Sequence, residues 1–112
     1  MKKELEKFVQ DVLSDCYAEG YSQEDTEIWV KEREGETPDI GICFEGPQGD
    51  LTYPLGLFMM KSGCRVRDIQ AFDRYQGGSL LITIRVYKSA IDYELWGTIY
   101  VTNDPDNIWW KK

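Results

Sequence analysis

Apolar residues from position 5 onward fall at Leu5, Phe8, Val9, Val12, Leu13, Cys16 and Tyr17. This i, i+3, i+4, i+7 spacing gathers one stripe along an amphipathic helix. Gly20 follows, the residue best able to take the left-handed conformation that ends a helix. Lys2 and Lys3 stand at the start and Asp15 and Glu19 at the end, so these charges oppose the helix dipole. Packing of the stripe, more than local propensity, must hold the segment, and the pattern predicts a sheet beneath it.

The period then changes to two. In "TEIWVKER", Ile28 and Val30 alternate with Trp29 and Lys31; the turn residues "EGETPD" separate this run from "IGICFEG", where Ile40, Ile42 and Phe44 share a face. The pair reads as a β-hairpin. The stretch "LTYPLGLFMMKSG" satisfies a buried strand and a short helix equally, and is taken as a strand followed by a short helix or coil. Two further strands are expected on either side of Gly77 and Gly78, with a helix over 65–76 as the competing reading. "LLITIRVY" alternates most clearly: Leu80, Ile82, Ile84 and Val86 oppose Leu81, Thr83, Arg85 and Tyr87, as a central strand should.

In the last apolar run, Leu95, Gly97, Ile99 and Val101 share one side and Glu94, Trp96, Thr98 and Tyr100 the other, with Gly97 expected at a bulge or close approach. After a turn at Pro105, an extended tail would send Ile108 and Trp110 to one face and Trp109 to the other. Trp110 would close the core near Ile99 and Val101, leaving Trp109 for a partner. The expected fold is α+β: one domain over 1–112, with an N-terminal amphipathic helix packed on a curved antiparallel meander sheet of about five or six strands.

Composition supports a self-sufficient core. The 112 residues are 42% hydrophobic and 13% aromatic, enough to fold without cross-links or metals. Cys16, Cys43 and Cys64 show no paired spacing and are expected as reduced, buried thiols. No leader-like or membrane-length apolar run is present, so the expected location is the cytoplasm. The net charge of −7 divides into −9 over residues 1–56 and +2 over 57–112, which predicts an electrically polarised molecule.

The chain has no histidine. That removes Ser-His-Asp and Cys-His nucleophiles, imidazole bases and most zinc and iron sites. Cys64 beside Arg65 and Arg67 is the thiol best placed for activation, although no base accompanies it. Residues 56–62, "GLFMMKS", lack the glycine that precedes the lysine of a phosphate-binding loop, and Asp104 and Asp106 lack the glycine and distal glutamate of a calcium loop. Asp92 and Glu94 form a carboxylate pair of the kind common on a wet strand face. Arg65, Arg67, Arg74 and Arg85, with Phe72 and Tyr87, could track a nucleic acid, but the acidity of the chain opposes it.

What survives is a small acidic interaction module that binds a basic protein partner, with no cofactor and no metal. Glu32, Glu34, Glu36 and Asp39 around the hairpin turn, together with Trp109, are the expected partner-binding residues. Two alternatives stand beside it. One is an inhibitor of a nucleic-acid-binding defence protein, of the sort small acidic phage and mobile-element proteins use, with Glu24, Asp25 and Glu27 joining a surface that imitates phosphates. The other is a small enzyme or ligand carrier with a pocket lined by Tyr53, Trp96 and Tyr100.

Overall fold

The computed structural model describes residues 2–32, 34–44, 51–62, 66–75, 79–89, 91 and 94–104, with the side chains of 2, 67, 68 and 70–80 left aside. Helix α1 spans Lys2–Ala18 and β1 and β2 span Thr26–Lys31 and Asp39–Phe44; helix α2, Thr52–Lys61, precedes β3 (Val66–Tyr75), β4 (Ser79–Tyr87) and β5 (Leu95–Thr102). None of these helices is long and apolar enough to cross a membrane.

The periodic stripe forms α1 as its spacing requires: Leu5, Val9, Val12, Leu13 and Cys16 are all buried. The helix closes in a Schellman arrangement. Gly20 has φ +109°, its N–H donates to the Tyr17 carbonyl at 3.1 Å, and the Tyr21 N–H donates to the Cys16 carbonyl at 3.0 Å. A side chain at Gly20 would strain that positive φ.

The fold is α+β, with two helices among the described residues and a mixed sheet in the order β1-β2-β5-β4-β3. The expected antiparallel meander holds only for β3, β4 and β5. β5 runs antiparallel to β4 but parallel to β2 and so occupies the middle of the sheet, with β4 beside it as an interior strand paired on both sides. The physical reason is the second helix. The run expected as a strand followed by a short helix or coil folds over Thr52–Lys61 as the single helix α2 and carries the chain away from β2, so the next hairpin begins elsewhere and returns β5 to the β2 edge. Strand β3 replaces the competing helix over 65–76.

One sheet face carries Ile40, Ile42, Phe44, Ile82, Ile84, Val86, Ile99 and Val101, which join α1 and α2 in a single core. At Gly97 an added Cβ would collide with Cδ2 of Leu5 and lie 2.8 Å from the Pro38 carbonyl oxygen. Glycine is therefore what lets α1 and the β2 entrance approach β5 so closely. The register shifts beside it, between Val86 and Tyr87. That irregularity brings Trp96 against the core and beside Phe8, not onto the face of Thr98 and Tyr100 as strict alternation had implied.

Candidate partner-binding surface

Helix α2 has the composition of a core helix and the position of a surface one. Pro54 sits in its first turn, where its missing N–H would have no intrahelical partner. Pro54, Leu57 and Phe58 are buried, and the Phe58 ring meets Phe8 of α1 edge-on at 5.8 Å. At the far end the Ser62 hydroxyl donates to the Met59 carbonyl at 2.8 Å. Lys61 turns toward α1, its Nζ 2.9 Å from Oδ2 of Asp15. This hydrogen bond with Asp15 holds the Lys61 ammonium above its ordinary pKa.

The opposite arc of α2 carries no charge. Thr52, Tyr53, Gly56, Met59 and Met60 all face outward, with Tyr53 37%, Met59 53% and Met60 73% exposed. They surround a notch of about 270 Å³ lined by Thr52, Tyr53, Gly56, Leu57 and Met60. Tyr53 is anchored from within: it stacks on Tyr21 at 6.0 Å, and Tyr21 meets buried Phe44 edge-on at 5.4 Å. Burial raises the pKa of the Tyr53 hydroxyl, and the charge of Glu19 adds to it. Glu19 and Asp15, the latter paired with Lys61, are the carboxylates whose charge reaches the Tyr53 hydroxyl.

Gly56 has no intramolecular packing reason. A Cβ placed there would meet nothing within 4 Å, and its φ lies outside the left-handed range, yet glycine inside a helix costs about 0.5–1 kcal/mol relative to alanine. An open glycine between exposed methionines and a tyrosine suits close approach by another backbone.

Comparison with known proteins adds nothing to this geometry. No family model, curated protein or solved structure matches the chain.

The residues expected to bind a partner are placed unequally. Glu32, Glu34 and Glu36 are exposed between β1 and β2. Asp39 is not part of that tip: it is half-buried as the first residue of β2, opposite Lys31 and Thr98. Trp109 lies outside the described residues, as do Trp110, Cys64, Arg65 and Asp92, and the side chains of Arg67, Arg74 and Phe72 lie outside them as well. Glu94 is exposed and pairs with Lys88 at 3.6 Å.

Tyr53, Trp96 and Tyr100 do not share a pocket. Tyr53 borders the α2 notch. Trp96 lines a separate groove of about 430 Å³ with Glu4, Phe8, Asp11 and Lys61. Tyr100 pairs with Thr83 and Gly41, in register with the strand face away from Ile99 and Val101. Cys16 and Cys43 are free and buried, and burial, then the charge of Asp15, pushes the Cys16 thiol up to about 11. Such a thiol is a poor nucleophile at neutral pH. The sequence does not isolate the α2 arc, because its pattern fits a strand followed by a short helix or coil; one helix over the whole of Thr52–Lys61 aligns Tyr53, Gly56 and Met60.

Proposed function

We propose that this protein is an interaction module that docks an amphipathic helix of a partner protein on the outer arc of α2. The observation that carries the reading is the uncharged exposed surface around Gly56. Helices apolar on all sides are ordinarily buried, and flexible methionines are well suited to recognition surfaces. The partner helix would bring an apolar face with 3–4 spacing to the notch and basic residues to Asp15 and Glu19. The tip residues Glu32, Glu34 and Glu36 act at longer range, steering a basic partner toward an acidic protein.

The test begins with capture from a cell lysate on the intact protein and on its Met60→Lys variant, followed by titration of the recovered partner. Met60→Lys should fold normally and lose the partner, because it sets an ammonium in the notch. A partner bound equally by both proteins would remove α2 as the docking face. The double variant Glu34→Lys with Glu36→Lys should slow association at about 0.01 M salt and change it little at about 0.1 M, as the Debye length falls from roughly 30 to 10 Å. Equal rates at low salt would dispose of the steering role.

A further inference from the structure

A second surface lies on the other shoulder of α1. There β1 forms the outer edge of the sheet and is half-buried along most of its length, whereas β2 is buried at every position after Asp39. Between α1 and this edge runs a groove of about 260 Å³ with Val9, Ile28, Val30 and Ile40 as its apolar lining and Glu6 and Gln10 as its polar members. Val30 is 42% exposed. At the opposite end of the strand, the Tyr17 hydroxyl is hydrogen-bonded to Thr26.

The direction of the edge's backbone groups follows from one bond. The Thr98 N–H donates to the Pro38 carbonyl at 3.1 Å, so even-numbered residues of β2 turn their backbone toward β5 and odd-numbered ones toward β1. Asp39, Gly41 and Cys43 oppose Lys31, Trp29 and Glu27, and these pairs exchange the inner hydrogen bonds. The N–H and C=O groups of Ile28 and Val30 therefore point out of the sheet, and no strand lies beyond them among the described residues. Ile28 and Val30 are also the β1 residues that line the groove.

We infer that β1 and the groove beside it receive an extended segment of another protein, added antiparallel as a further strand, with apolar residues alternating with lysine or arginine. The apolar residues of such a segment face Ile28 and Val30, exchange hydrogen bonds with them and enter the groove between β1 and α1. The alternate residues turn to the other face, where Glu27, Trp29 and Lys31 lie in register with Cys43, Gly41 and Asp39; the two carboxylates outnumber the one ammonium there, and the Trp29 ring favours cations. Charge selects the same partner: over residues 26–39, Glu27, Glu32, Glu34, Glu36 and Asp39 outnumber Lys31 and Arg33. A second copy of this chain, itself at −7, is disfavoured by the same field.

The probe is a capped octapeptide alternating valine and lysine, compared with a block peptide of the same composition. On the full chain the alternating peptide should bind at least about tenfold tighter and slow hydrogen exchange at the Ile28 and Val30 amides. N-methylation of its valine amides should abolish the advantage, and N-methylation of its lysine amides should preserve it. Val30→Lys, at a site exposed enough to spare the fold, should also abolish it. Met60→Lys should leave it unchanged, so that this groove and the α2 surface can fail separately. Equal binding of the two peptides, unaltered exchange at Ile28 and Val30, or the reverse methylation pattern would overturn the inference.

Discussion

Helices α1 and α2 pack into the same core, yet they meet water in opposite ways. On α1 the apolar stripe is buried, and Lys3, Glu4, Lys7, Gln10, Asp11 and Ser14 are exposed. On α2 the exposed positions are Thr52, Tyr53, Gly56, Met59, Met60 and Lys61, and the one charge among them, Lys61, is turned to Asp15 of α1. The first helix is solved within the molecule: its large apolar groups pack in the core, and apart from the small Ala18 its exposed positions are polar. The second presents to water the kind of side chain that α1 hides. The difference separates packing that holds the fold from surface available for recognition, and it can be broken by substitution.

The largest effect should come from the core. Leu13→Ala on α1 removes a fully buried side chain and should destabilise the protein by about 2–5 kcal/mol in a denaturant titration. Met60→Ala should move the same midpoint by less than about 0.5 kcal/mol. Equal losses would show that α2's outer arc serves the fold.

Next is the alkaline response of α1. The Cys16 thiol is raised from 9.0 to about 11 in the folded state. Its contribution to stability is therefore complete below the unfolded value and is lost as pH climbs through the folded one. Within that window unfolding free energy should fall by about 1.4 kcal/mol per pH unit from this group. Cys16→Val should lack this component; an unchanged slope would assign it to other groups.

A smaller and opposite change is expected on α2. Gly56→Ala meets nothing within 4 Å and should stabilise the protein by about 0.4–1 kcal/mol while weakening partner binding. A variant that is both more stable and fully competent to bind would mean that the glycine leaves room for nothing. The smallest effect belongs to the pair that joins the helices. Asp15→Asn breaks the contact with Lys61, but both side chains are substantially exposed, so thermal unfolding should shift by about 1 kcal/mol or less.

Legibility in the sequence followed contrast. The α1 stripe was readable because polar residues interrupt it at helical spacing, and β4 because Arg85 and Thr83 alternate with Ile84 and Ile82. Residues 52–61 offer almost no polar contrast, so period two and period 3.6 fit them alike; the pattern admits a short helix there without fixing its extent, and so does not align the exposed positions of α2. The acidic tip was visible because Gly35 and Pro38 mark a turn; Asp39 fell outside it because β2 begins at that residue.

The sequence by itself determined the buried stripe of α1, the hairpin of β1 and β2, the close approach at Gly97 and the absence of imidazole chemistry, because each depends on residues near one another in the chain or on composition. Only the tertiary structure decided that β5 lies parallel to β2, that β1 is left at an edge beside a groove, and that Met59 and Met60 face outward. Strand order and exposure arise from which distant surfaces pair and cover one another, and a local period carries no record of that choice.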